Sequence, residues 1–307
     1  MVNLVGDIGG TNTRLALADG TSVRHATVAK FKNAQYASLE EVIRVYLSTQ
    51  GNPDCDAACV AVAGPVKDGV GRLTNVDWKL DRQTLADAAQ AERAEVINDL
   101  QAQAYALGHH REGTLETVVE GTLKPEGAKL VIGVGTGMNI AAAFETPQGR
   151  IVPPAEAGHI TLPLHTDDDW ALSRFLESRF GFASVEEAIS GRGLTHIHEW
   201  ASGGAKLSTQ EIIAAAHAGE AKPVKAVHTF VRLLGQLAGD YSLITLPEGG
   251  VYLIGGMVQA VKPWLSAGGF ERAFRHKGRF SDFMQQFSVQ VVTDDYAALT
   301  GAGAHIA

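Results

Sequence analysis

Cysteine is nearly absent. The 307 residues contain two, Cys55 and Cys59, with neither a CxxC pair nor a Cys/His cluster at ligand spacing. A disulfide framework and a structural zinc site are therefore not expected, and a reducing cytoplasm suits the chain. Cys59 opens the apolar stretch CVAVAG, which reads as a buried strand. Also missing is any run of about eighteen apolar residues, so no membrane span is expected. Asp7 and the Gly9-Gly10 pair interrupt any apolar segment near the start, so no secretory leader is expected either. Positive charge is in deficit: 26 Lys and Arg against 34 Asp and Glu give a net charge of −8. That balance argues against nucleic acid or an anionic membrane surface as partner and leaves a small molecule as the default substrate. The composition that remains, 45% hydrophobic and 20% charged with 34 glycines, is that of a globular protein large enough for two packed lobes.

The first half alternates strand and helix patterns, as a mixed or parallel sheet requires. VNLV and LALA flank GDIGGTNTR (6–14) as two strands around a glycine bend. SLEEVIRVYLSTQG (38–51) carries a Ser38/Glu41 capping box, an apolar stripe at Val42, Ile43, Tyr46 and Leu47, and Gly51 beyond its end. AACVAVAGPV (57–66) reads as a strand, RLTNVDW (72–78) as extended and 82–91 as a helix. AEVIND (94–99) then reads as a strand that runs into a helix from Leu100. The polar loop HHREGTLE (109–116) marks a lobe boundary, giving a small lobe over 1–108 and a large lobe over 109–293. Beyond it, LVIGVGTGMNIAAAF (130–144) repeats the strand, glycine bend and strand of the N-terminus. Two like hairpins imply a duplicated α/β fold with a cleft between the copies.

The second half is more helical. In 167–181 the acidic residues at the helix start read as caps rather than ligands. Ser184/Glu187 and Ser208/Glu211 read as further capping boxes, and 224–246 as a long buried helix ending near Pro247. GGVYLIGGMV (249–258) reads as a strand stopping in a double glycine, and 288–293 as a last strand before a short, glycine-broken C-terminal stretch.

The bend at Gly6–Thr11 joins two strands, so it is neither a Walker A loop nor a dinucleotide fingerprint. Glycine lets backbone N–H groups approach an anion closely, which makes a phosphate cradle of this bend and of GVGTG (133–137). An ordinary hairpin turn would account for Gly9 and Gly10 by their freedom at positive φ, but not for Asp7. A carboxylate beside phosphate is tolerated when Mg²⁺ lies between them, directly or through water, so Asp7 is a candidate metal-side residue. Asn98-Asp99 ends a strand and should be displayed at a sheet edge; alternatively Asp99 is the N-cap of the next helix. Glu156, His159 and Glu186 are polar groups that, taken singly, read as ordinary surface or core residues.

Taken together, GDIGGTNTRLAL, AGPV, LTNVDW, VINDL, GTG, EAGH, ISGRGL, GGVYLIGGMV, FRHKGRF and GAGAH resemble, in order and spacing over nearly the whole chain, the bacterial glucokinase family. These are sugar kinases of the hexokinase/actin-like ATPase superfamily. The zinc-binding cysteine motif of the ROK sugar kinases is absent, which points to the non-ROK group. The resemblance implies a two-lobed actin-like ATPase (ribonuclease H-like) α/β fold with an interlobe cleft, residues from about 294 to 307 returning to the small lobe. It implies transfer of the γ-phosphoryl of ATP to the 6-hydroxyl of glucose, with Mg²⁺, in a cytoplasmic homodimer of glycolysis. Asp99 becomes the base, and Asn75, Asn98, Glu156, His159 and Glu186 become ligands of sugar hydroxyls. The bend Gly6, Asp7, Ile8, Gly9, Gly10 and Thr11 and the bend Gly135, Thr136 and Gly137 become phosphate loops. Gly255 and Gly256 become the adenosine-side glycines. Relatives commonly carry glycine where Asn139 and Ala157 stand here, a departure that bears on sugar choice. Three alternatives remain: a hexokinase for N-acetylglucosamine or mannose, a sugar-sensing regulator without turnover, and a chaperone or filament of the superfamily. The segment KGRF (277–280) has no physical account from sequence.

Overall fold

The computed structural model describes residues 2–73 and 78–307. Asn75 and the middle of RLTNVDW lie outside the described residues. The chain divides into two compact units: Met1–Glu112 with Asp294–Ala307, and Gly113–Thr293.

In the first unit the strands are β1 (Asn3–Ile8), β2 (Asn12–Asp19), β3 (Ser22–Val23), β4 (Ala29–Lys32), β5 (Ala57–Val62), β6 (Val66–Lys67), β7 (Val70–Arg72), β8 (Lys79–Asp81) and β9 (Arg93–Asn98). Its helices are α1 (Leu39–Thr49), α2 (Arg82–Ala89), α3 (Asp99–Ala106) and the C-terminal helix Ala297–Ile306. The main sheet runs β3-β2-β1-β5-β9, with β4 also on β2. β1 and β2 form the antiparallel hairpin, whereas β1, β5 and β9 are parallel, so their C-terminal ends share one edge. Side chains alternate across this sheet. Leu4, Ile8, Leu15, Val60 and Val62 pack with α1 and α2 on one face. Val5, Ala16, Cys59, Ala61 and Ile97 pack with Ala102, Ala298, Leu299 and Ala302 on the other. Asp7 has the parity of Val5, which turns it to the α3 face.

The C-terminal stretch is helical, against the glycine-broken reading. Gly301 explains it: a side chain there would collide with the Ala102 backbone, so glycine lets this helix lie directly on α3. The apolar contact along Ala298, Leu299 and Ala302 offsets the low helix propensity.

The second unit contains β10 (Leu115–Val119), β11 (Lys129–Val134), β12 (Met138–Thr146), β13 (Gly149–Ile151), β14 (Val251–Ile254) and β15 (Val289–Val292). Its helices are α4 (Asp167–Phe180), α5 (Val185–Ala188), α6 (Gly191–Ser202), α7 (Thr209–His217), α8 (Ala221–Thr245), α9 (Gly256–Val261) and α10 (Phe270–Arg275). The sheet order is β10-β15-β14-β11-β12-β13, with β11, β14 and β15 parallel and β11-β12 an antiparallel hairpin. Helix α8 runs through the core, burying Phe230, Leu233, Leu234, Leu237 and Tyr241.

Thr166 and Asp169 cap α4 reciprocally, and Asp169 pairs with Arg232, which with the His165 and Thr166 N–H groups holds its carboxyl below the usual range despite burial. Ser208 and Glu211 form the expected box on α7. At α1 only half of the box forms, because Glu41 accepts from Ala37 N–H at 2.7 Å instead of from Ser38. At α5 no box forms: the Ser184 side chain makes no cap. Glu187 is instead drawn to Arg192 at 3.1 Å and lies 3.4 Å from His196 Nδ1. The KGRF segment also finds its reason. The nearly buried Lys277 ammonium binds Asp240 at 2.6 Å and the Gln236 carbonyl at 2.9 Å, while Gly278 turns the chain at φ +55°. Lys277 is a strut fastening this loop to α8, and Gly239 leaves it room.

Candidate active site

The C-terminal edge of β1, β5 and β9 gathers the polar residues of the first unit. Ile8, Val62 and Asn98 stand level across the three strands, so Gly9 and Asp99 leave the sheet two strand spacings apart, about 10 Å. The N-cap of α3 is Asn98, which overturns the reading of Asp99 as the cap. Asn98 Oδ1 accepts from Leu100 N–H at 2.9 Å, its Nδ2 donates to Gly64 O at 3.0 Å, and its own N–H donates to Gln101 Oε1 at 3.1 Å. Asp99 is thereby freed of capping duty as the first helical residue, although one oxygen still accepts from Leu100 N–H at 2.8 Å. Burial pushes the Asp99 carboxyl up to about 6, the Leu100 N–H opposes this, and the Asp7 charge adds to it. Asp7 is likewise raised by burial and opposed by Arg14, whose guanidinium lies 3.8 Å away and also donates to Asp295 O at 3.0 Å.

The first bend is braced from below. Buried Asn33 donates to Gly9 O at 2.8 Å and accepts from Thr13 Oγ1 at 2.9 Å, while its N–H donates to Thr11 O at 3.0 Å. Gly9 is not held at positive φ, so the turn explanation for that glycine fails; its N–H closes the bend on Asn12 O at 2.9 Å. Gly6 is needed for packing, since a Cβ would sit 2.8 Å from Val60 Cγ1 and 2.9 Å from Leu15 Cδ2.

In the second unit the last level pair is Gly133 and Ile254, so Gly135, in the bend after β11, and Gly256, the first residue of α9, both follow strand ends on the same edge of the sheet. Both have open space where a Cβ would be, as a surface approached by a ligand backbone-first would have. Gly255 differs: at φ +103° it is pressed against the Val134 backbone, so its glycine is required by the fold itself. Gly137 yields to Glu186, whose Oε2 would be 2.6 Å from a Cβ. Thr136 is exposed at the tip.

Glu186, at the second position of α5, accepts from Met138 N–H at 2.9 Å and pairs with Arg192 at 2.6 Å. Glu156 and His159 are exposed on either side of buried Ala157 and Gly158. Asn139 and Tyr241 hold this turn: Asn139 Oδ1 accepts from Ala157 N–H, and Tyr241 donates to Ala157 O, both at 2.9 Å. The start of β12 therefore touches every expected second-unit sugar residue or its segment.

A glucokinase family model matches residues 4–307. The chain belongs to the glucokinase family. The glucokinase of Chromohalobacter salexigens is 34% identical, with 97% of this chain and 95% of that protein covered. The crystal structure of a glucokinase from an Antarctic psychrotroph superposes with TM-score 0.91 at 32% identity, over 100% of this chain and 99% of that one. A glucokinase from Balamuthia mandrillaris, solved in complex with glucose, shares the fold at TM-score 0.77 and 22% identity, over 100% and 93% of the two chains. The fold is thus the two-lobed α/β fold of the actin-like ATPase sugar kinases.

In this glucokinase-family chain two side chains near the expected site, Arg14 and Asn33, escape a motif-by-motif reading. Arg14 was available from register, since a hairpin bending between residues 10 and 11 places 14 opposite 7. Asn33 acts through loop contacts that no spacing announces, and Asn139, marked in the sequence by its departure from the family's glycine, has contacts that the sequence does not give. Among the described residues no group of three or more His, Cys, Asp or Glu could hold a metal ion. Mg²⁺ arriving with a nucleotide needs less, because it keeps several waters and takes one or two carboxylates with the phosphates. Asp7 offers one carboxylate near the end of β1, close enough for its charge to raise Asp99.

Proposed function

We propose that the protein is an ATP-dependent glucokinase that transfers the γ-phosphoryl group of ATP to the 6-hydroxyl of glucose, with Asp99 as the base. The new bond joins the sugar O6 to the γ-phosphorus, the bond to the bridging oxygen breaks, and ADP leaves. Asp99 takes the hydroxyl proton. What carries this reading is the Asp99 carboxyl, displayed at the end of β9 and raised to about 6. It stays largely ionised at neutral pH yet is a better base than an ordinary aspartate. Phosphoryl transfer has a loose transition state, so positioning and charge neutralisation matter more than extreme basicity.

Under the same proposal the first unit is the small lobe and the second the large lobe. Asn75, Asn98, Glu156, His159 and Glu186 would bind sugar hydroxyls, and such a ring of donors and acceptors rejects sugars that leave a member unpaired. The two glycine bends, Gly6–Thr11 and Gly135–Gly137, would face phosphates with backbone N–H groups. Gly255 and Gly256 would border the adenosine. Mg²⁺ would be held on Asp7 and would neutralise phosphate charge. The family resemblance extends the proposal to a cytoplasmic homodimer in glycolysis.

A coupled assay with glucose, other hexoses and several phosphoryl donors tests the function. Turnover of glucose with ATP is expected, and absence of turnover with any hexose would remove it. A second reading, preference for N-acetylglucosamine or mannose, rests on the departure from the family's usual glycines at Asn139 and at Ala157, which adjoins the expected sugar ligand Glu156. The same sugar panel separates the two.

A further inference from the structure

We propose that Asn139 is a positioning residue for sugar recognition, one that fixes the orientation of the Glu156 carboxylate by clamping the residues on both sides of it. The inference rests on the reading of Glu156 as a sugar ligand.

Asn139 is the second residue of β12, held in register opposite Gly133 by the hairpin ladder. Its Oδ1 accepts from the N–H of Ile140 at 2.8 Å and of Ala157 at 2.9 Å. Its Nδ2 donates to Ala155 O at 2.5 Å and reaches Glu156 Oε2 at 3.4 Å. One carboxamide thus grips the residue before Glu156, the residue after it, and the carboxylate itself. The segment needs such a grip. Glu156 has φ −131° and ψ 53°, outside helix and strand, and its side chain does not cap the turn that follows. Nothing regular in the local backbone would otherwise fix the direction of an exposed carboxylate.

Met138, the neighbour of Asn139, supplies the N–H that Glu186 accepts. Two consecutive residues of one strand therefore set two of the expected sugar carboxylates: Met138 through its backbone, Asn139 through its side chain. Only the second can be altered by substitution without touching the ladder. Tyr241 anchors the same turn from α8 through Ala157 O, so the turn keeps one tether when Asn139 is replaced. Loss of the amide should loosen the carboxylate more than the fold.

The test is a double-mutant cycle on the purified full-length chain, with KM for glucose and for ATP, kcat and thermal stability measured for Asn139→Ala, Glu156→Ala and the double variant. Each single change is expected to raise KM for glucose about tenfold while KM for ATP stays within about twofold. The double variant should be no worse than Glu156→Ala alone, because Asn139 acts through the group already removed. Asn139→Asp is the second variant. It keeps the acceptor for Ala157 N–H but sets a carboxylate against Glu156, and it should raise KM for glucose at least as far as alanine does. Glucose KM unchanged in Asn139→Ala while raised in Glu156→Ala overturns the inference. So do effects that multiply in the double variant, or glucose and ATP constants that rise together with lost stability. A parental KM in Glu156→Ala instead removes Glu156 as a sugar ligand, and the inference falls with that reading.

Discussion

Both units build a glycine-bent hairpin into a row of parallel strands, β3-β2-β1-β5-β9 in one and β13-β12-β11-β14-β15 in the other. They differ in what the hairpins carry. In the first, Asp7 faces Arg14 across the ladder; in the second, the position of Asp7 is held by Gly133 and the residue opposite is Asn139. The charged pair sits beside a bend braced by Asn33, and the neutral pair beside a bend that Gly191 N–H braces at Gly135 O, 2.7 Å away. One scaffold thus serves two chemistries. The first hairpin brings charge to the strand edge where Asp99 lies, whereas the second brings open backbone and an amide that manages carboxylates from elsewhere. If this division is functional, removing charge from the first unit should damage the chemical step, and crowding the second should damage binding.

The largest effect is expected from Asp99→Asn, which should lower kcat about 10²–10⁴-fold. Retention of parental kcat would sink the base assignment. In the parent, log kcat/KM should fall as pH drops through about 6, where the carboxyl takes up its proton. The same substitution sharpens the comparison through stability. The carboxyl rises from 3.8 to about 6 on folding, so ionising it works against the fold. That cost is absent below about pH 4, grows up to about pH 6 and is full above it. Asp99→Asn, which can still accept from Leu100 N–H, should therefore be more stable than the parent at pH 7–8 by up to about 2–3 kcal/mol. The gain should vanish near pH 4. Equal denaturation midpoints at both pH values would show that burial does not strain this group.

How much of this is legible in the sequence depends on the range of the interaction. Hairpins and capped helices are legible because each is specified within a dozen residues, as Ser208 with Glu211 shows. The Ser184 box failed because Glu187 has competing partners in Arg192 and His196, which lie on the next helix. The C-terminal helix was hidden for the opposite reason: Gly301 is a poor helix former alone and the right residue only against Ala102. In the candidate site Asp7 and Asp99 stand out as carboxylates in unlikely places. Asn33 does not, and Asn139 stands out only as a departure from the family's glycine, because the value of both lies in which carbonyls and N–H groups they reach, and that is settled by tertiary structure.

Asp7→Asn should break the first unit's side of the comparison more gently. Loss of one charge-assisted contact, about 1.5–3 kcal/mol, would raise the Mg²⁺ concentration for half-maximal turnover ten- to a hundredfold, with glucose KM little changed. It also withdraws a negative charge that helps to raise Asp99, so the acid limb of the pH profile should move to lower pH. An unaltered Mg²⁺ dependence would argue that Asp7 serves only its pairing with Arg14.

The smallest effect is the most discriminating, because it contrasts two glycines of one bend. Gly137 cannot accept a side chain without moving Glu186, so Gly137→Ala mixes loss of packing with loss of function. Gly135 has open space where a Cβ would lie and is not at positive φ, so Gly135→Ala should shift stability by less than about 0.5 kcal/mol. A methyl group there matters only to something that approaches from outside. If that something is the phosphate chain of ATP, KM for ATP should rise a few-fold, about 1 kcal/mol, with glucose KM and thermal midpoint unmoved. An ATP KM equal to the parent's would mean that the second bend is a turn like any other, and the phosphate contacts would then have to come from the first hairpin alone.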